Sequence, residues 1–209
     1  MQRFFALVLS LAATLAPAIP ARSAPATQTV VLAGGCFWGM QLVFEQLRGV
    51  DRVVAGYAGG AAATAHYDIV STEQTGHAES VEITYDPKTI SFASLLNVYF
   101  KVAHDPTQLN RQGPDTGSSY RSEIFYTTDA QRSDALDAIA RLRKTHYYAD
   151  PIVTIVAPLR GFYPAEAYHQ DYALHNPHDA YIAINDLPKL HRLRELFGSL
   201  VKPGAPDPT

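Results

Sequence analysis

The sequence predicts an α+β domain with a two-layer sandwich architecture. Three observations predict it. Several stretches rich in Val, Ile and Tyr carry strand patterning, as continuous apolar runs or as alternation. Between them, apolar residues recur at helical spacing. The order of the two patterns is β-α-β-β-α-β, then α-β. The first six elements match the split β-α-β, ferredoxin-like arrangement. The chain adds a C-terminal helix and an irregular segment.

Thr29 to Ala33 is a β-branched apolar run that reads as a buried strand. Gly34-Gly35 turns the chain. From Cys36, the residues Phe37, Met40, Val43, Phe44 and Leu47 trace a helix, and Gly49 is placed to stop it. Val50 to Ala58 is the second strand, ended by Gly59-Gly60. Ala61 to Gly76 is small and polar and reads as a loop. Ser80 to Tyr85 alternates, with Val81, Ile83 and Tyr85 on one face, and Asp86-Pro87 closes it. Ser91 caps a helix carrying Leu95, Leu96, Tyr99 and Phe100. His104 to Ser119 is a long loop of the kind that carries function in a compact domain. Glu123 to Thr127 is strand four. Asp129 caps a third helix with Leu136, Ile139 and Leu142, and Ile152 to Ala157 is strand five. Beyond Pro158 the chain is rich in Tyr and His. Pro188 to Leu200 reads as a final helix with Asp186 near its start and Leu190, Leu193, Phe197 and Leu200 along one side.

The chain has 209 residues, 47% of them hydrophobic and 18% charged. That supports a packed core and excludes wholesale disorder. The formal net charge of −3 lacks the basic surplus of a nucleic-acid protein, so no nucleic-acid partner is expected. No dinucleotide or phosphate-loop motif and no fixed repeat is present. The chain has one cysteine, Cys36. It forms no intramolecular disulfide and no cysteine-based zinc cage.

Residues 1–23 have the layout of a secretory signal peptide: a basic start at Arg3, an apolar run from Phe4 to Ala18, and a small-residue stretch around Ala21-Arg22-Ser23. Pro17 and Pro20 break the run, which falls short of the roughly 20 residues of a membrane span. A lipid anchor on Cys36 is rejected because Arg22 to Thr29 separates the cysteine from the apolar run. After cleavage the chain keeps 15 of its 17 basic residues against 20 acidic ones, a net −5. The domain is then 24–201, with 202–209 expected to be a disordered tail. The expected location is periplasmic or secreted, an oxidising compartment, with no stable membrane insertion and a monomeric state.

Cys36 sits where a strand joins a helix. The free amides and dipole of a helix N-terminus favour a thiolate, and the thiolate is the nucleophilic form. A free cysteine is more often a buried structural residue, but an idle thiol in an exported protein is a liability, which favours a reactive one. Phe37 and the lone tryptophan, Trp38, are adjacent in sequence and cannot both share its helix face. One or both wall an apolar pocket beside the sulfur, or they pack in the core.

Gly35-Cys36-Phe37-Trp38-Gly39 resembles the signature of the A-type peptide methionine sulfoxide reductases. Companion stretches follow in that family's order: Gly56-Tyr57-Ala58-Gly59-Gly60, Gly76-His77-Ala78-Glu79, Tyr85-Asp86-Pro87, His104-Asp105-Pro106, Arg111 to Gly117, Tyr120-Arg121-Ser122, and Tyr168-His169-Gln170-Asp171-Tyr172. The similarity runs from about Thr29 to Pro177.

The resemblance implies a single-cysteine enzyme that reduces methionine S-sulfoxide, free or in oxidised proteins and peptides, to methionine. It implies that Cys36 attacks the sulfoxide sulfur and becomes a sulfenic acid. Glu79 is implied as the acid, kept protonated by burial. Tyr57 and Tyr120 are implied to hydrogen-bond the sulfoxide oxygen without carrying charge. By the same resemblance, Asp115 is implied to order water and hydroxyls, and Phe37 and Trp38 to hold the S-methyl group. Many relatives resolve the sulfenic acid with a C-terminal cysteine. This chain has none, so an external thiol is expected: thioredoxin, glutaredoxin or a small thiol. No bound cofactor and no metal is expected.

Three rival readings have sequence features of their own. Cys36 with His77 or His169 matches a Cys-His hydrolase or acyltransferase. His77-Ala78-Glu79 fits the His-x-Glu of zinc deaminases, but the later Pro-Cys-x-x-Cys of that family is missing. A binding module with an inert cysteine is the third. His175 and His178 bracket Asn176-Pro177 and read as a solvated turn. The segment Ala180 to Leu200 carries no assignable chemistry.

Overall fold

In the computed structural model, which describes residues 27–206, the chain opens with strand β1 (Gln28–Gly34). The expected signal peptide lies outside the described residues. Strand alternation sends Val30 and Leu32 into the main core and Val31 and Ala33 into a smaller cluster on the other sheet face. Helix α1 (Phe37–Glu45) and strand β2 (Val50–Ala58) follow. A short helix α2 (Tyr67–Val70) leads to β3 (Ala78–Tyr85) and α3 (Phe92–Val98). A small hairpin, β4 (Arg111–Gln112) and β5 (Asp115–Thr116), precedes β6 (Ser122–Tyr126). The chain continues through α4 (Asp129–Lys144), β7 (Ile155–Pro158), β8 (Phe162–Pro164), α5 (Tyr172–His175) and α6 (Leu187–Phe197).

The sheet order is β7-β6-β1-β3-β2-β8. Its four central strands are the expected split β-α-β unit, antiparallel throughout. β7 extends it parallel to β6, and β8 covers the end of β2 antiparallel. This topology makes the site. Because β1 is antiparallel to β3 and to β6, the end of β1 meets the starts of both. The residues around Cys36, Glu79 and Tyr120 therefore share one sheet end, and the loop leaving β2 at Ala58 joins them.

Buried apolar residues surround α1: Phe37, Met40, Leu42, Val43 and Phe44. A helix apolar on all sides needs cover on all sides. The sheet takes one face. On the other, Leu42 packs with Ala173, Ile182 and Leu190 from the C-terminal segment.

Several local expectations change. The loop expected over Ala61 to Gly76 contains a 3-10 turn (Ala62–Thr64) and α2. Thr128, not Asp129, caps α4; its side chain accepts from the Gln131 amide at 3.2 Å. Ser91 caps α3 as expected, accepting from Ser94 N–H at 3.1 Å, but Tyr99 and Phe100 lie in a following π turn. Strand five starts later than Ile152, and the three-residue β8 was not expected. The last helix ends at Phe197 and passes into a 3-10 turn. At the start of the expected tail, Lys202 donates its amide to Gln46 O and its Nζ to Glu45 O, both at 2.8 Å.

Candidate active site

Cys36 occupies the N-cap position of α1, after Gly35 at φ +87°. The strand-to-helix corner expected there is present, and Cys36 lines a cavity of about 200 Å³. Of the seven predicted site residues, six line it: Cys36, Phe37, Trp38, Glu79, Asp115 and Tyr120. Tyr67 and Tyr181 complete the wall. A larger cleft of about 560 Å³ lies at the other end of α1, near Glu45 and Asp171. Its lining contains no cysteine, serine or threonine.

The thiolate expected from the helix end is not the resting form. Cys36 is only 8% exposed, and burial pushes the thiol well up, with the Glu79 and Asp186 carboxyls adding to the shift. The Trp38 amide and the Lys189 ammonium pull the other way and do not win. Desolvation of a full charge outweighs a helix-end dipole. The helix end is also shared, because the Phe37 amide donates to Glu79 Oε2 at 3.1 Å.

Glu79 is 4% exposed and sits within hydrogen-bonding reach of the Cys36 thiol. Burial raises its carboxyl to about 8; Asp115 and Glu73 add to the rise, and the Phe37 N–H opposes it. At neutral pH the Glu79 carboxyl therefore keeps its proton. The pocket thus rests with two protons, one on sulfur and one on carboxyl.

Tyr67 and Tyr120 reach the cavity as phenols. Burial holds both hydroxyls protonated. Tyr57 does not reach it. Paired with Glu79 across β2 and β3, it is fully buried, its ring lies 5.8 Å from Phe37, and its hydroxyl donates to Glu166 Oε2 at 2.9 Å. The same carboxylate accepts from the Tyr67 amide at 3.0 Å. Tyr57 therefore supports the wall that Tyr67 forms.

Trp38 is held on three sides. Tyr172 stacks on it at 3.9 Å, Tyr181 meets it edge-on at 6.0 Å, and its Nε1 donates to His169 Nδ1 at 3.2 Å. Such packing fixes an apolar wall in place before a substrate arrives. Tyr181 also donates its hydroxyl to Asp115 Oδ2, which ties the C-terminal segment to the long loop.

Both histidines of the hydrolase reading are committed elsewhere. His77 accepts from Gly60 N–H at 3.3 Å and bonds Ala61 O at 2.9 Å. His169 accepts from Trp38, and burial lowers its pKa. Neither ring lines the cavity. Among the described residues no group of three or more His, Cys, Asp or Glu is placed to hold a metal ion.

A sequence model described as peptide methionine sulfoxide reductase matches residues 28–199. The peptide methionine sulfoxide reductase MsrA 2 of Mesorhizobium japonicum is 52% identical over 179 residues, covering 86% of this chain and 92% of that protein. The chain belongs to the peptide methionine sulfoxide reductase family. MsrA 2 of Synechocystis is 47% identical, covering 86% of this chain and 84% of that one. The reduced form of Mxr1 from Saccharomyces cerevisiae superposes with a TM-score of 0.68 at 32% identity, covering 72% of this chain and 86% of that one. Methionine sulfoxide reductase A of Corynebacterium diphtheriae gives 0.64 at 34%, covering 75% and 78%. The reaction of this family member is thiol-dependent reduction of methionine sulfoxide, an oxidoreductase activity.

Its C-terminal segment does more than the sequence indicated. Beside Tyr181, it supplies Asp186, fully buried and paired with Lys189 Nζ at 3.0 Å. The pair lies against the first turn of α1. A Cβ at Gly39 would collide with the Asp186 carboxylate and lie 2.6 Å from Lys189 Nζ. The last glycine of Gly-Cys-Phe-Trp-Gly is thus the gap that lets this ion pair approach. Asp186 has no sequence signal beyond its place before a helix. Tyr67 had a weak one, as the aromatic residue of an otherwise small, polar loop.

Proposed function

We propose that the chain reduces the S epimer of methionine sulfoxide, free and in oxidised proteins, through a Cys36 sulfenic acid that an external thiol resolves. The observation that carries this is the buried, neutral Glu79 carboxyl beside the Cys36 thiol in an aromatic pocket. The S-methyl group lies between Phe37 and Trp38, and the sulfoxide oxygen faces Glu79, Tyr67 and Tyr120. Tyr67 takes the role first given to Tyr57. Asp115 orients the Tyr181 hydroxyl and the polar side of the cavity.

As the Cys36 sulfur attacks the sulfoxide sulfur, Glu79 gives its proton to the oxygen and regains one from the thiol. In the net step the substrate S–O bond is lost and a Cys36 S–O bond is gained. The methionine sulfur is reduced by two electrons, the cysteine sulfur is oxidised by two, and the thiol proton ends on the sulfenic hydroxyl. An external thiol then condenses with the sulfenic acid, releasing water and leaving a mixed disulfide. A second thiol restores Cys36. The only cysteine of the chain is Cys36, so both thiols come from outside: thioredoxin, glutaredoxin or a small thiol. The reading includes export through residues 1–23 to the periplasm or exterior and action as a monomer, without membrane insertion.

The purified chain, given racemic methionine sulfoxide and excess dithiothreitol, should consume half of it and leave the R epimer. Consumption of the R epimer, or of neither, rejects the reading. The roles of the tyrosines separate by a second test. Tyr67→Phe should lower kcat/KM about tenfold or more, the cost of a transition-state hydrogen bond. Tyr57→Phe should instead cost about 1 kcal/mol of stability with kcat nearly unchanged. The reverse ranking would return the role to Tyr57.

A further inference from the structure

Glu73 lines no part of the cavity, yet its carboxylate is among the most heavily used in the described chain. Oε2 accepts from the Ser119 amide at 2.8 Å and the Ser118 hydroxyl at 3.1 Å. Oε1 accepts from the Ser119 hydroxyl at 2.5 Å. These three donors belong to the Ser118–Tyr120 turn, which presents Tyr120. Glu73 itself follows α2, its amide bonded to Val70 O at 3.0 Å, and α2 begins with Tyr67. One side chain therefore joins the two backbone segments that carry the two cavity phenols. The approach is close: a Cβ at Gly117 would overlap the Glu73 carboxylate.

The backbone at this position is also unusual. Glu73 has φ +65°, a left-handed conformation that a non-glycine residue adopts only at an energetic cost. Such strain persists where surrounding contacts over-determine it. Glycine would meet the backbone need without strain but would leave three donors without their partner. A carboxylate here is explained by those donors, not by the turn.

We propose that Glu73 is a positioning residue: it clamps the Tyr67 and Tyr120 segments together and so sets the spacing of the two phenols over Cys36. The clamp has an electrostatic consequence as well, because Glu73 is one of the charges that raise the Glu79 carboxyl. The other groups facing Glu79 are Cys36, the Phe37 amide, Asp115, Tyr57, Tyr67 and Tyr120. The inference rests on the reductase reading of the cavity.

The test compares wild type, Glu73→Gly and Glu73→Gln by kcat, KM, rate against pH and melting temperature with a methionine S-sulfoxide peptide. Glu73→Gly should fold but melt several degrees below wild type, because the strain it relieves offsets only part of the three hydrogen bonds it loses. Its kcat should fall about tenfold or more, as expected when reacting groups are slightly misplaced. Glu73→Gln keeps one acceptor oxygen and should fall between the two. In both variants the high-pH loss of rate should move to lower pH, which a purely structural residue would not cause. Wild-type kcat and an unmoved pH limit in Glu73→Gly overturn the proposal. If Glu73→Gly fails to fold, an unmoved limit in Glu73→Gln does so alone. An inactive wild type instead removes the reductase reading, a different outcome from an active wild type with active variants.

Discussion

Glu79→Gln should lower kcat by about 10²- to 10⁴-fold, the range a positioned acid contributes, while substrate KM stays within about threefold, because glutamine keeps the shape and the acceptor for Phe37 N–H. Glutamine cannot give a proton to the sulfoxide oxygen. The wild-type rate should be flat at neutral pH and fall as pH rises through about 8, where the buried carboxyl loses its proton. The variant should lack that fall. Stability moves the opposite way. A carboxyl whose folded pKa lies above its unfolded value of 4.5 contributes stability below pH 4.5, and that contribution is lost as pH rises towards 8. Glutamine has no proton to lose, so at pH 7 the variant should melt no lower than wild type. A near-normal kcat in a folded Glu79→Gln protein would remove the acid role, and a low melting temperature would assign the loss to unfolding.

Cys36→Ser should abolish sulfoxide reduction while leaving peptide binding intact, since the serine hydroxyl fits the 8%-exposed N-cap position but cannot be oxidised by the substrate. The neutral resting thiol has a kinetic consequence. Alkylation of Cys36 by iodoacetamide should be slow at pH 7 and faster at high pH, unlike a helix-end thiolate, which would react at once. Substrate changes this because Glu79, having given up its proton, is the base that takes the thiol's. The nucleophile is then generated in place, next to the sulfur it attacks.

Much of this was legible in the residues. The apolar run of β1, the alternation of β3 and the helical spacing after Cys36 are properties of neighbouring positions, and the element order they give matches the split β-α-β arrangement. That order alone brings Cys36, Glu79 and Tyr120 to one sheet end. What failed was of another kind. Helix α2 has four residues, less than a full apolar period, so Tyr67 lay hidden in a loop of small residues. Tyr57 stands in a motif beside a strand end, and only the register against Glu79 and the bond to Glu166 show that it turns away. The ionisation of Cys36 depends on how much water reaches it, which no local pattern encodes; a helix end is visible in the sequence and burial is not. The C-terminal segment showed an apolar helix side but not that Tyr181 and Asp186 would reach α1 and the cavity, because that contact spans the whole domain.

Intact-mass spectrometry of Cys36 after a single turnover, with one equivalent of methionine S-sulfoxide peptide and no reductant, addresses the chemistry most directly. The expected product is the peptide short of one oxygen atom and the protein heavier by one, on the tryptic fragment that contains Cys36. A folded protein that leaves stoichiometric substrate and its own cysteine unchanged would contradict the assignment of oxygen transfer to this sulfur.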